Sequence, residues 1–102
     1  MAIHTTTAFA FGSGSVSTTA LALADLTGLS DELVAQADRA RITVATNPVR
    51  YRYDGGAPTA TIGHYLAANE ETEIVGRQNI ANLRFIRAGG SDGVVSVTLE
   101  GD

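Results

Sequence analysis

No cysteine occurs in the 102-residue sequence, so disulfide frameworks and thiolate chemistry are closed to it, although a secreted location is not thereby excluded. Lysine is absent too: all seven basic residues are arginines, at positions 39, 41, 50, 52, 77, 84 and 87. A GC-rich genome is the bland explanation; the fit of guanidinium forks to interface ion pairs is the functional one, and both can hold together. Tryptophan is missing and aromatics make up 6% of the chain, which leaves few rings for a sugar-binding platform. No segment approaches the roughly 20 apolar residues that span a bilayer, and the opening MAIHTTT lacks the positive start and long apolar run of a signal peptide. The chain is expected to be made in the cytoplasm and to engage no membrane. With a net charge of −4 and no basic run, it is expected to bind no nucleic acid.

What remains is rich in Ala, Thr, Val and Gly, a composition that suits strands with small side chains. Residues 1–102 form a single expected domain, large enough for one core, with residues 1–12 as an N-terminal arm or edge strand. Residues 3–11 read as a first strand, Gly12-Ser13-Gly14-Ser15 as a flexible turn, and residues 17–23 as a second strand. The one good helix signal lies at residues 30–40, with Ser30 as cap, Asp31 and Glu32 in the first turn, and Leu29 and Val34 as a hydrophobic staple. After it, Ile42 and Val44 alternate with polar or small residues, and Val49, Tyr51 and Tyr53 alternate with Arg50 and Arg52. Asp54 to Pro58 reads as a turn, residues 59–64 as a short extended piece, residues 72–75 and 83–87 as strands, and residues 79–82 as a connection. Val95, Val97 and Leu99 alternate cleanly with Ser96, Thr98 and Glu100 in a last strand. The expected fold is all-β: an antiparallel β-sandwich, jelly-roll-like or Ig-like, with one short α-helix near residues 30–40.

Few constellations could carry chemistry. His4 and His64 are the only histidines, and with no cysteine beside them no zinc spacing exists. His64 reads as a packed or hydrogen-bonded imidazole and His4 as a surface strand residue. Asp54-Gly55-Gly56 opens like a calcium loop, yet Ala57, Pro58 and Thr59 supply no further ligands, so a turn is expected. Ser13 and Ser15 lack the G-x-S-x-G elbow, and Gly12 to Gly14 lacks the lysine end of a phosphate loop. Glu70, Glu71 and Glu73 crowd one corner rather than flank a cleft as a glycosidase pair must. Neither an enzyme nor a cofactor is expected. Tyr51 and Tyr53 share the face expected in the core, which weakens a sugar platform. Arg50 and Arg52 share the other face, with Arg84 and Arg87 on a strand able to lie beside them. Such a stripe is either a solvated face with weak ion pairs or an interface to acidic residues of a neighbouring subunit, with Glu70, Glu71 and Glu73 as candidates.

The segments ARITVAT, PVRYRYDG, APTATIGHYLAA, NIANLRFIRAG and VVSVTLE run in order over residues 40–100. Together they resemble a group of small virion-associated proteins encoded in the structural gene blocks of tailed bacteriophages. The resemblance implies a non-enzymatic virion protein in which Asp54-Gly55, Pro58-Thr59 and Gly63-His64 are turn and register elements. The roles it implies are capsid decoration (cement), head–tail connection or tail surface. Decoration is preferred, because an acidic corner and an arginine set suit repeated contacts. The expected partners are further copies of itself, as a trimer or hexamer, and the major capsid protein; the expected location is the outer capsid surface of the virion. The alternative is a surface-displayed module that adheres to glycans, which predicts an exposed aromatic patch.

Overall fold

A computed structural model describes residues 7–101. The chain runs β1 (Thr7–Val16), β2 (Leu21–Ala22), α1 (Leu23–Thr27), α2 (Asp31–Ala35), β3 (Arg39–Ala45), β4 (Val49–Arg52), β5 (His64–Leu66), β6 (Glu71–Val75), α3 (Arg77–Ala81), β7 (Arg84–Arg87) and β8 (Gly93–Gly101). Two four-stranded antiparallel sheets result, ordered β1-β8-β3-β6 and β2-β7-β4-β5. First pairs with eighth, second with seventh, third with sixth and fourth with fifth. That is the wrapping of a jelly roll, one long hairpin folded over on itself, and not the Ig order.

The pattern read from the last strand places the core. Val95, Val97 and Leu99 are fully buried, as are Ala40 and Ile42 beside them on β3. From the second sheet Val49, Tyr51 and Phe85 face them, with Leu23, Ile80 and Leu83 closing the interior. Connections after odd-numbered strands meet at one end. There the Arg87 amide donates to the Ser17 carbonyl, the Ala88 amide to Pro48 and the Asn47 side-chain amide to Asp92. The helices and the 53–63 loop belong to the connections that leave from the other end.

Several local expectations are corrected. Gly12 to Ser15 is no turn but the second half of β1: Gly12 and Gly14 face inward, where α1 lies so close that side chains would not fit. The second strand is only Leu21–Ala22, because the chain coils into α1 at Leu23 and stops at Gly28, whose φ of 77° is left-handed. The expected helix is α2, with Ser30 accepting from the Leu33 amide at 3.2 Å. It ends at Ala35, since β3 already pairs with β8 and β6 from Arg39. The connection expected at residues 79–82 is mostly α3. Residues 59–62 close a tight turn instead of extending, with Thr59 and Ile62 exchanging backbone hydrogen bonds of 2.8 and 3.3 Å. The expected strand and arm begin outside the described residues, which also exclude His4.

Candidate functional site

The expected arginine stripe divides once the strands are paired. Arg50 and Arg52 project from the outer face of the second sheet, and the register sets Arg84 opposite Arg52 and Tyr65 opposite Arg50. Arg87 falls opposite Val49, thus on the inner side at the end of the sandwich, and pairs with Asp92 at 2.9 Å. Glu71 and Glu73 lie on the outer face of the other sheet, where Arg41 reaches Glu73 at 3.1 Å and Glu71 at 3.9 Å, and Arg39 reaches Glu73 at 3.5 Å. Glu70 turns back on its own loop and accepts from the Ala67 amide at 2.7 Å. The acidic set and the outward arginines therefore sit on different sheets, and Glu71 and Glu73 already have cations from their own chain.

Arg50 and Arg52 are occupied as well, by the loop that follows them. Arg52 grips Asp54 with both arms of its fork, Nε to Oδ1 at 3.0 Å and Nη2 to Oδ2 at 2.6 Å, and donates to the Ala57 carbonyl at 3.4 Å. Arg50 donates to the carbonyls of Ala60 and Gly63, each at 3.0 Å. A planar fork serves two acceptors at once where an ammonium could not fix the direction. The loop adds its own ties. The Asp54 carboxylate accepts from the Gly56 amide at 3.2 Å, and the Thr59 hydroxyl accepts from the Ile62 amide at 2.9 Å. Gly63 closes the loop at φ 134°, and a Cβ there would lie 3.3 Å from the Arg50 Cβ and 3.1 Å from the Tyr51 carbonyl. Only glycine satisfies both the backbone angle and the close approach.

Beside Arg52, the Asp54 carboxyl is held down to about 2, chiefly by its hydrogen bond from the guanidinium and then by the Gly56 amide. The guanidinium is raised in turn. Because the folded value lies below the usual 3.8, the tie is complete above the ordinary carboxylate range and is lost as pH falls through about 2. In an acid titration followed by NMR, the Gly56 amide is expected to shift with a midpoint near 2, and Arg52→Gln to move that midpoint up toward 3.8. An unchanged midpoint in the variant would mean that the fork does not hold the carboxylate.

The pinned loop presents apolar and aromatic side chains to solvent. Ile62 is 57% exposed, Tyr65 54% and Tyr53 37%. The Arg50 guanidinium carbon stands 5.3 Å from the centre of the Tyr65 ring, a cation–π distance. Tyr53 was expected in the core with Tyr51. It is exposed because β4 ends at Arg52, one residue short of it. His64 is exposed rather than packed into the interior, its ring lying against the sheet's other aromatics, 5.7 Å from Tyr53 and 5.3 Å from Tyr51, and Tyr53, His64, Arg52 and Asp54 bound a cleft of about 250 Å³. Arg84 is exposed and has no ion-pair or hydrogen-bond partner among the described residues.

Among the described residues, the one carboxylate with a strongly lowered pKa is held by Arg52, and the His64 side chain makes ring contacts and no hydrogen bond. No group of three or more His, Asp or Glu side chains is placed to hold a metal ion among the described residues. Sequence reasoning found the outward arginines by their alternation but missed Ile62, which the 59–62 turn lifts out of any strand pattern. No protein-family model, curated protein or solved structure matches the chain.

Proposed function

We propose that the protein is a non-enzymatic virion structural protein: a homo-oligomeric capsid decoration (cement) protein that binds the major capsid protein on the outer surface of the head and stabilises it. The observation that carries this reading is the pinned loop. It holds Ile62 exposed beside the exposed Tyr65 of β5, in the sheet that also carries Arg84, which has no ion-pair or hydrogen-bond partner among the described residues. Aromatic and arginine side chains are the residues that dominate protein interfaces, and a contact surface fixed before binding loses little freedom on association. The resemblance of residues 40–100 to small tailed-phage virion proteins supplies the setting. Jelly rolls occur in viral capsid and lectin domains alike, so architecture supports the virion reading only by analogy.

The test is binding of the purified protein to undecorated heads. Ile62→Ser combined with Tyr65→Ala is expected to weaken binding by at least about tenfold while the melting temperature stays put, since both side chains are exposed. Binding at wild-type strength would place the contact elsewhere. Replacing Arg50 and Arg52 is the poorer test, because their loss would unhook the loop itself.

One observation favours adhesion to glycans as a second reading. The stacked Tyr53 and His64 rings, beside a cleft that Arg52 and Asp54 also line, are the exposed aromatic patch that a sugar site requires. That reading predicts retention on a polysaccharide column that Tyr53→Ala abolishes. No retention of the wild type would remove it.

A further inference from the structure

The two sheets have four edges, and three of them are short or guarded. β2 has two residues and β5 three. β6 has five, with Glu71 and Glu73 on its exposed face and the Val75 carbonyl capped by the Asn79 amide at 3.0 Å. β1 is different: ten residues, TAFAFGSGSV, without a charge or a proline. Long neutral edges are what proteins ordinarily blunt, because their unpaired backbone groups template another strand.

The direction of those groups follows from the ladder. The Gly76 amide donates to Asp38 and the Val44 amide to Glu70, so even-numbered residues of β3 point toward β6 and odd-numbered ones toward β8. Alternation then turns the odd-numbered residues of β8 toward β1, where they face Ala10, Gly12, Gly14 and Val16. Phe11, Ser13 and Ser15 are left with their N–H and C=O groups on the open side, and none of these has a backbone partner among the described residues. The register shift between Ala8 and Ala10 ends this regular run on its N-terminal side. Phe11, at 64% the most exposed large apolar side chain among the described residues, stands on the outer face of the same run.

We propose that a second copy of this chain pairs with β1, antiparallel and two-fold symmetric about Ser13, joining two four-stranded sheets into one continuous sheet. This deepens the self-association part of the function proposed above and does not depend on the capsid. Centred there, Ser13 faces Ser13 of the other copy and each Phe11 faces a Ser15, giving about six N–H···O bonds and laying each ring over small side chains. The occupant is a second copy because of charge and symmetry. Each copy carries a net charge of −4, and β1 is the long edge at which two copies meet without charge repulsion. An antiparallel strand pair is self-complementary about a two-fold axis. The axis does not close a ring of three or six, so the contact pairs copies or bridges neighbouring rings.

Sedimentation of the full chain over a concentration series tests this. Wild type is expected as a dimer. Ser13→Lys and Ser13→Glu, both at an exposed side chain, are each expected to raise the dimer dissociation constant by at least about tenfold, since like charges then face each other across the axis. An equimolar mixture of the two variants is expected to recover the dimer. A monomeric wild type overturns the proposal, as does an association that neither variant weakens or a mixture that stays monomeric. Circular dichroism melts that match wild type confirm that the variants fold. A wild-type dimer that fails to bind heads would keep this contact and remove the decoration reading.

Discussion

Replacing Phe85 by alanine is expected to lower the free energy of unfolding by about 3–5 kcal/mol. Phe85 is fully buried on β7, between Leu21 of β2 and Tyr51 of β4, and its ring lies 6.1 Å from that of Tyr51. The second sheet is made of strands of two to four residues, so backbone pairing alone holds it weakly and its inward side chains must hold it to the first sheet. Domains of this size are typically stable by about 5–15 kcal/mol, so the loss removes a large share of the total. Urea unfolding followed by circular dichroism measures it as a lower midpoint with an unchanged slope. Phe11→Ala in the monomer is the contrast. That ring is 64% exposed, and the expected change is within about 0.5 kcal/mol. A loss at Phe85 as small as that would mean the two sheets do not share one core.

Gly14→Ala is expected to be the other severe change. A Cβ at Gly14 would sit 1.9 Å from the Leu26 carbonyl oxygen. That atom is backbone near the end of α1, so relief requires the helix to move off β1 rather than a side chain to rotate. Overpacking of this kind costs about 1–3 kcal/mol or more, which for a domain of this length lowers the melting temperature by roughly 5–20 °C. Gly89, where a Cβ meets nothing within 4 Å, supplies the control. Gly89→Ala is expected to melt like wild type. Equal melting of the two alanine variants would show that α1 does not rest on β1.

How much of this was legible in the sequence depends on how far apart the partners lie along the chain. The alternation of Val95, Val97 and Leu99, the Ser30 cap and the Asp54 turn are local signals, and each has its expected place. Gly12 to Ser15 misled because glycine and serine signal turns by composition. Their real cause, the close approach of α1, depends on residues that only the fold brings near. The strand order was out of reach, since β1 meets β8 across nearly the whole chain. The outward direction of Arg50 and Arg52 was legible, but their partners are the carbonyls of Ala57, Ala60 and Gly63 and the carboxylate of Asp54, mostly backbone atoms with no signature of their own. So these arginines are tied within their own chain, as the anchors of the loop that follows them.

The glutamates likewise have partners within their own chain. Glu71 and Glu73 meet Arg39 and Arg41 of their own chain, some thirty residues earlier. Exposed pairs like these contribute about 0–1 kcal/mol each, and while formed they leave little free charge for a neighbour's arginines. High salt is therefore expected to affect attachment through Arg84 more than through this ladder.

Imaging of heads incubated with the purified protein, at a resolution that orients the jelly roll, tests whether the 54–63 loop attaches it to the shell. Many copies are expected over the outer head surface, each with the 54–63 loop and Tyr65 turned toward the shell. Copies confined to the tail, or copies on the head with that loop facing solvent, would contradict it.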